Sequence, residues 1–140
     1  MAEYYLGKRS LGRLYKLHPC LSACVSLAIT ITEVDFTVSE TVRTMKRQQQ
    51  LYHGTLKRTW TLKSKHLIQA DGFAHAVDLI PLENGVTNWE LCHQVKAAMF
   101  TAAEMLGINL RWGGDWNQNS SSTDEHQRGS YDGPHFELIT

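Results

Sequence analysis

Two short segments constrain this chain more than any other part of it. They are Ser64-Lys65-His66 leading on to Ala76-Val77-Asp78-Leu79, and Asp132-Gly133-Pro134-His135-Phe136-Glu137 beside the C-terminus. Together they offer two imidazoles, a carboxylate able to ligate and a spare carboxylate. A water-activating zinc site requires that set, because three N/O ligands leave a fourth position for a water whose pKa the metal lowers to about 7. A fold that uses both segments in one site has to bring two distant stretches side by side.

At 140 residues the chain suits a single domain, residues 1–140, with one real core and no second domain. A hydrophobic content of 42% with 20% charged residues is that of a soluble globular protein. No uncharged apolar run reaches the roughly 18 residues that suggest a membrane span, so no stable membrane insertion is expected. The longest candidate, residues 19–32, is too short and is not placed as a secretory signal. Met1-Ala2-Glu3-Tyr4-Tyr5 is no basic n-region, so the chain is expected to be made and folded in a cytoplasm without a signal peptide.

Net charge is zero, yet the halves differ. Residues 1–65 hold 11 Lys and Arg against 4 Asp and Glu, and residues 66–140 hold 3 against 10. Halves that pair across the fold and solvate their outer faces account for this. The sharper reading is a basic half that greets an anionic polymer. A long basic stripe interleaved with aromatics is missing, so nucleic acid is not expected as a partner. The three cysteines, Cys20, Cys24 and Cys92, form no Cys-x-x-Cys pair and imply neither a disulfide framework nor a thiolate zinc knuckle.

Periodicity predicts helices over residues 10–17 and 19–28, a strand over 35–43 and a polar helix over 45–52 that ends near Gly54. Residues 55–72 are basic and weakly periodic, and a strand is expected over 73–79. The most secure helix spans 88–106. Thr87 and Glu90 have capping-box spacing, Leu91, Val95, Ala98, Ala102 and Met105 recur at helical intervals, and Gly107 can terminate it. A short strand over 108–112 precedes a long polar loop over 113–133, and a last strand over 135–139 puts His135 and Glu137 on one face. A loop that long in a compact domain is usually functional.

Seven histidines permit many imagined metal sites. A lone histidine is more often a surface or hydrogen-bonded residue, and His18, His53, His75, His93 and His126 are read that way. His66, Asp78 and His135 differ because of their surroundings. Ser64-Lys65-His66 with Gly72-Phe73-Ala74-His75-Ala76-Val77-Asp78-Leu79 resembles the Ser-x-His...Gly-x-Ala-x-Asp signature of zinc D,L- and D,D-peptidases that cut bacterial peptidoglycan. The segment Asp132 to Glu137 is similar to their second signature. His18-Pro19-Cys20-Leu21, Asp35-Phe36-Thr37-Val38 with Thr41-Val42-Arg43-Thr44, and Leu110-Arg111-Trp112-Gly113-Gly114-Asp115-Trp116 resemble stretches of phage endolysins that act as L-alanyl-D-glutamate endopeptidases. The resemblance runs in order from about residue 18 to residue 139.

The resemblance implies an α+β fold, a small antiparallel sheet with flanking helices like that of Hedgehog and D,D-peptidase zinc domains. It implies zinc on His66, Asp78 and His135, with Asp132 as general base or acid. It also implies Arg43 facing the substrate carbonyl or carboxylate and Ser64 orienting substrate. A surface ion pair is the alternative for Arg43. Eleven residues separate His66 from Asp78 where the commoner pattern has six, which makes Asp71 a rival ligand. The context Ala76-Val77-Asp78-Leu79 favours Asp78, since Asp71-Gly72 reads as a turn. Glu137 is expected behind the ligands, holding an imidazole or neighbouring backbone.

Asp115, Asn117 and Asn119 place oxygen-bearing side chains at alternate positions, as calcium loops do, although Ser120 stands where an EF-hand has glycine. A Ca2+ ion there competes with a merely hydrophilic lid. The implied activity is hydrolysis of the L-Ala–D-Glu bond in peptidoglycan by a monomeric endolysin with no separate wall-binding domain. A chain of that kind is made in the host cytoplasm and acts on the wall after release. A D-Ala-D-Ala carboxypeptidase or dipeptidase is the alternative within the same chemistry. A non-catalytic, zinc-stabilised wall-binding module is the alternative outside it.

Overall fold

The computed structural model describes residues 3–53, 64–118, 121–128 and 131–139. Residues 54–63, part of the basic stretch, and Asn119 of the expected cation loop lie outside the described residues. In chain order the elements are α1 (Lys8–Arg13), α2 (Pro19–Ile31), β1 (Asp35–Glu40), α3 (Met45–His53), β2 (Ala76–Glu83) and β3 (Val86–Thr87). A 3-10 turn (Trp89–Leu91), α4 (Cys92–Leu106), β4 (Leu110–Trp112), α5 (Thr123–Arg128) and β5 (His135–Leu138) complete it. The sheet has the order β1-β2-β5-β4 with β3 paired to β2, and each of these ladders is antiparallel. This is the expected α+β architecture.

Local chemistry explains the helix ends. Pro19 occupies the first turn of α2, where its missing N–H costs nothing, and His18 Nδ1 accepts from Cys20 N at 3.1 Å as the cap. Leu21, Cys24, Val25, Ala28 and Ile29 form the buried stripe of α2, and Val95, Ala98, Met99, Ala102 and Ala103 that of α4. The two stripes join Phe36, Val38, Val77, Leu79, Phe136 and Leu138 in one core on one face of the sheet. Gly107 ends α4 with φ +70°, a left-handed conformation that glycine adopts without a Cβ penalty.

Several boundaries differ from expectation. The first helix stops at Arg13, because the chain turns at Lys16 with φ +68° before Leu17 bridges Ala74. β1 ends at Glu40 after a register shift between Val38 and Glu40. β2 starts three residues later than predicted and runs on to Glu83, where Asn84 (φ +52°) and Gly85 (φ +79°) make a two-residue hairpin turn into β3. Both central residues at positive φ match the turn type whose twist suits a hairpin. The cap ahead of α4 is Asn88, whose side chain accepts from Glu90 N at 3.1 Å, rather than Thr87. The predicted 113–133 loop contains α5, where His126 N donates to Ser122 O and Thr123 N to Ser121 Oγ.

Leu21, on α2, is fully buried in the hydrophobic core. Leu21→Ala is expected to lower unfolding stability by about 2–5 kcal/mol through lost transfer energy and the cavity left behind. Urea denaturation followed by far-UV circular dichroism measures it.

Candidate metal centre

The pairing of β2 with β5 sets Asp78 opposite His135 and Ala76 opposite Glu137. Side chains alternate along a strand, so Phe136 and Leu138 enter the core while His135 and Glu137 take the other face. His66 reaches that face from a turn in which Leu67 N donates to Ser64 O at 3.1 Å. Ser64 Oγ accepts from His66 N at 3.1 Å, so this hydroxyl shapes the turn that carries the imidazole. Arg43 N donates to His66 O at 2.8 Å and ties the turn to the end of β1.

Each imidazole has its proton placed by an outer acceptor. His66 Nδ1 lies 2.8 Å from the Thr41 carbonyl, which can only accept, so Nδ1 carries the hydrogen. His135 Nε2 lies 2.9 Å from Glu137 Oε1 and donates for the same reason. The remaining nitrogens, His66 Nε2 and His135 Nδ1, both face one oxygen, Asp78 Oδ1, at 3.2 and 3.3 Å. Acceptors turned on one another at this range repel unless a cation or a proton lies between them. The separations match the roughly 3.3 Å edge of a tetrahedron whose centre stands about 2.0–2.1 Å from each N or O ligand. The donor set and its spacing therefore fit a metal ion of the zinc type.

The electrostatics follow the same geometry. Burial opposes the charge on Asp78, but hydrogen bonds from His135 and His66 outweigh it and hold the carboxyl well below the usual carboxylate range. Burial also opposes protonation of His135, yet hydrogen bonds to Asp78 and Glu137 raise its pKa to about 9. Glu137 is held low against its own desolvation by the His135 hydrogen bond, with help from Lys65 at 3.5 Å and Arg111 at 3.7 Å. Lys65 Nζ also donates to the Leu138 carbonyl.

Asp132 sits one turn before His135, whose N–H donates to the Asp132 carbonyl at 3.1 Å. The residue presents surface to solvent. Its carboxyl is nonetheless crowded, and desolvation followed by the Asp78 charge raises its pKa against the pull of His135, His66 and Arg43. Gly113 makes this approach possible. Its N–H donates to His135 O and its carbonyl accepts from Asp132 N, and a Cβ there would stand 2.3 Å from Asp132 O.

Arg43 is held rather than free. Its Nε and Nη2 donate to the two Glu40 oxygens at 2.8 and 3.1 Å, and Nη1 donates to Gln48 Oε1 at 2.7 Å. Asp71 stands apart from the first cluster, with His18 and His75, and forms a second group whose ligand atoms lie within 4.8 Å of one another. Asp115 belongs to neither of the two groups of His, Cys, Asp and Glu found among the described residues, and Asn117 N donates to Glu125 Oε2 at 3.4 Å. Sequence reasoning missed the Thr41 carbonyl, which no side-chain pattern reveals, and Trp116, whose ring lies 5.1 Å from that of His135.

Comparison with known proteins identifies the family. The family model for phage L-alanyl-D-glutamate peptidases matches residues 2–139. The L-alanyl-D-glutamate peptidase of Escherichia phage T5 is 35% identical over 141 residues, covering 98% of this chain and 99% of that protein. The crystal structure of the Serratia marcescens L-Ala D-Glu endopeptidase ChiX superimposes with a TM-score of 0.77 at 32% identity, covering 98% of this chain and 92% of that one. A match across almost the whole chain, in sequence and in fold, places this protein in the phage L-alanyl-D-glutamate peptidase family.

Proposed function

We propose that this chain is a zinc-dependent endolysin that hydrolyses the L-Ala–D-Glu amide of peptidoglycan stem peptides. The observation that carries the reading is the convergence of His66 Nε2 and His135 Nδ1 on Asp78 Oδ1, each imidazole fixed from behind by an acceptor. His66, Asp78 and His135 would hold the zinc, which would supply Lewis acidity toward the scissile carbonyl and the attacking water.

The chain's own residues supply the rest. Asp132, a carboxylate beside the cluster but outside the ligand set, takes the proton from the attacking water and returns it to the leaving amine of D-Glu. Its raised pKa suits it to both transfers. Glu137 keeps His135 Nε2 protonated and so keeps Nδ1 available as a ligand. Arg43, braced by Glu40 and Gln48, is a pre-oriented cation for the developing oxyanion or a substrate carboxylate. Ser64 orients substrate indirectly, by shaping the turn under His66.

No helix among the described residues is long and apolar enough to cross a membrane. The reading has the monomeric protein made in the host cytoplasm and acting on the cell wall after release.

Mass spectrometry of muropeptides digested by the protein is expected to show stem peptides that begin at D-Glu, and loss of D-Ala alone would replace this reading with a carboxypeptidase. Asp132→Asn is expected to keep its zinc, by metal analysis, while losing roughly 10²–10⁴-fold in the lysis rate of purified walls. Full activity in that variant would refute Asp132 as proton carrier. Glu137→Gln, isosteric but neutral, is expected to bind zinc about 10–100-fold more weakly in competition with a chromogenic chelator.

A further inference from the structure

The segment that joins His66 to Asp78 brings two metal-capable side chains of its own, Asp71 and His75, to the start of α2. We propose that His18, Asp71 and His75 form a second binding site, open to solvent, for a divalent transition-metal ion of the zinc class.

Both imidazoles meet a single carboxylate oxygen. His75 Nε2 lies 2.6 Å and His18 Nε2 3.8 Å from Asp71 Oδ2. These two separations bracket the roughly 3.3 Å edge of tetrahedral N/O ligation, and the three ligand atoms all lie within 4.8 Å of one another. The ring arrangement repeats that of the first cluster: His18 and His75 have centroids 5.0 Å apart at 79°, against 5.1 Å and 71° for His66 and His135. Two imidazoles with one carboxylate suit zinc, nickel or copper better than magnesium or calcium, which prefer oxygen.

The backbone holds the three residues ready. His18 N donates to Ala74 O and Ala74 N to Lys16 O, both at 2.9 Å, which clamps the entry to α2 against the residue before His75. Asp71 Oδ1 accepts from Phe73 N at 3.1 Å, which orients the carboxylate and leaves Oδ2 for the ion. Side-chain exposures of 26% for His18, 40% for Asp71 and 10% for His75 provide an entry path and room for coordinated water. His18 Nδ1 caps α2 as an acceptor, so its ring proton sits on Nε2. Ligation through Nε2 transfers that proton to Nδ1, and the ion takes over from the cap in fixing His18. The site is then a clasp between α2 and the segment that delivers Asp78.

Zinc titrated calorimetrically into the full chain, stripped of metal by a chelator that is then dialysed away, is expected to bind at two sites per chain. The weaker binding should vanish in His18→Asn and in Asp71→Asn. Asparagine at position 18 retains an acceptor for Cys20 N, so that variant removes the imidazole and keeps the cap. Unchanged metal-free melting temperatures check the fold, and the zinc-dependent rise in melting temperature should shrink in both variants. His66→Ala should lose the tighter binding and keep the weaker one, which separates this site from the first. A single equivalent in the unaltered chain that His66→Ala abolishes, or a second that survives both His18→Asn and Asp71→Asn, would overturn the proposal.

Discussion

The antiparallel pairing of β2 with β5 is the constraint on which the site depends. Its register sets Asp78 against His135, and the same register sends Val77, Leu79, Phe136 and Leu138 into the core. A slip of one residue would turn the core side chains out and bury Asp78 and His135, so the energy that fixes the core also fixes the candidate site. That energy is large, because each fully buried side chain of this size contributes roughly 1.5–3 kcal/mol. The geometry of the candidate site is thereby held by hydrophobic burial on the opposite side of the sheet.

The second layer of control lies behind the candidate ligands. An imidazole can present either nitrogen, and here the Thr41 carbonyl and the Glu137 carboxylate make the choice for His66 and His135. Thr41 is available because β1 ends in a bulge at Glu40 and its chain then runs beside the His66 turn, tied there by Arg43 N. Glu137 is available because it lies two residues from His135, on the same face of β5. Gly113 adds the remaining close approach, letting the Asp132 carbonyl pass where a side chain would block it.

Much of this was legible in the chain. The apolar spacing of Val95, Ala98 and Ala102 in α4, the glycine that ends it and the alternation in β5 follow from helix and strand periods alone, and the structure reproduces them, whereas Leu91 falls in the preceding 3-10 turn and Met105 stands exposed. The hairpin at Asn84-Gly85 carried a clear local signal that the strand assignment overlooked. The start of β2 could not be read locally. Residues 73–75 alternate like a strand, but Ala74 pairs with the chain before α2 instead of with the sheet. α5 was hidden because six polar residues show no apolar stripe, and a short helix of that kind depends on its contacts with the rest of the molecule.

The sequence by itself determined the residue types able to make a metal site, their order and the faces on which His135 and Glu137 stand, because side-chain alternation is a local property of the backbone. Tertiary structure decided which carboxylate joins which imidazoles. Asp71 and Asp78 were rivals for one role along the chain, and in space each stands between a different pair of histidines. The eleven-residue separation could not settle this, since a loop between two ends adds little free energy as it lengthens. The sheet register and the backbone clamp at Ala74 settle it by placing Asp78 opposite His135 and Asp71 beside His18.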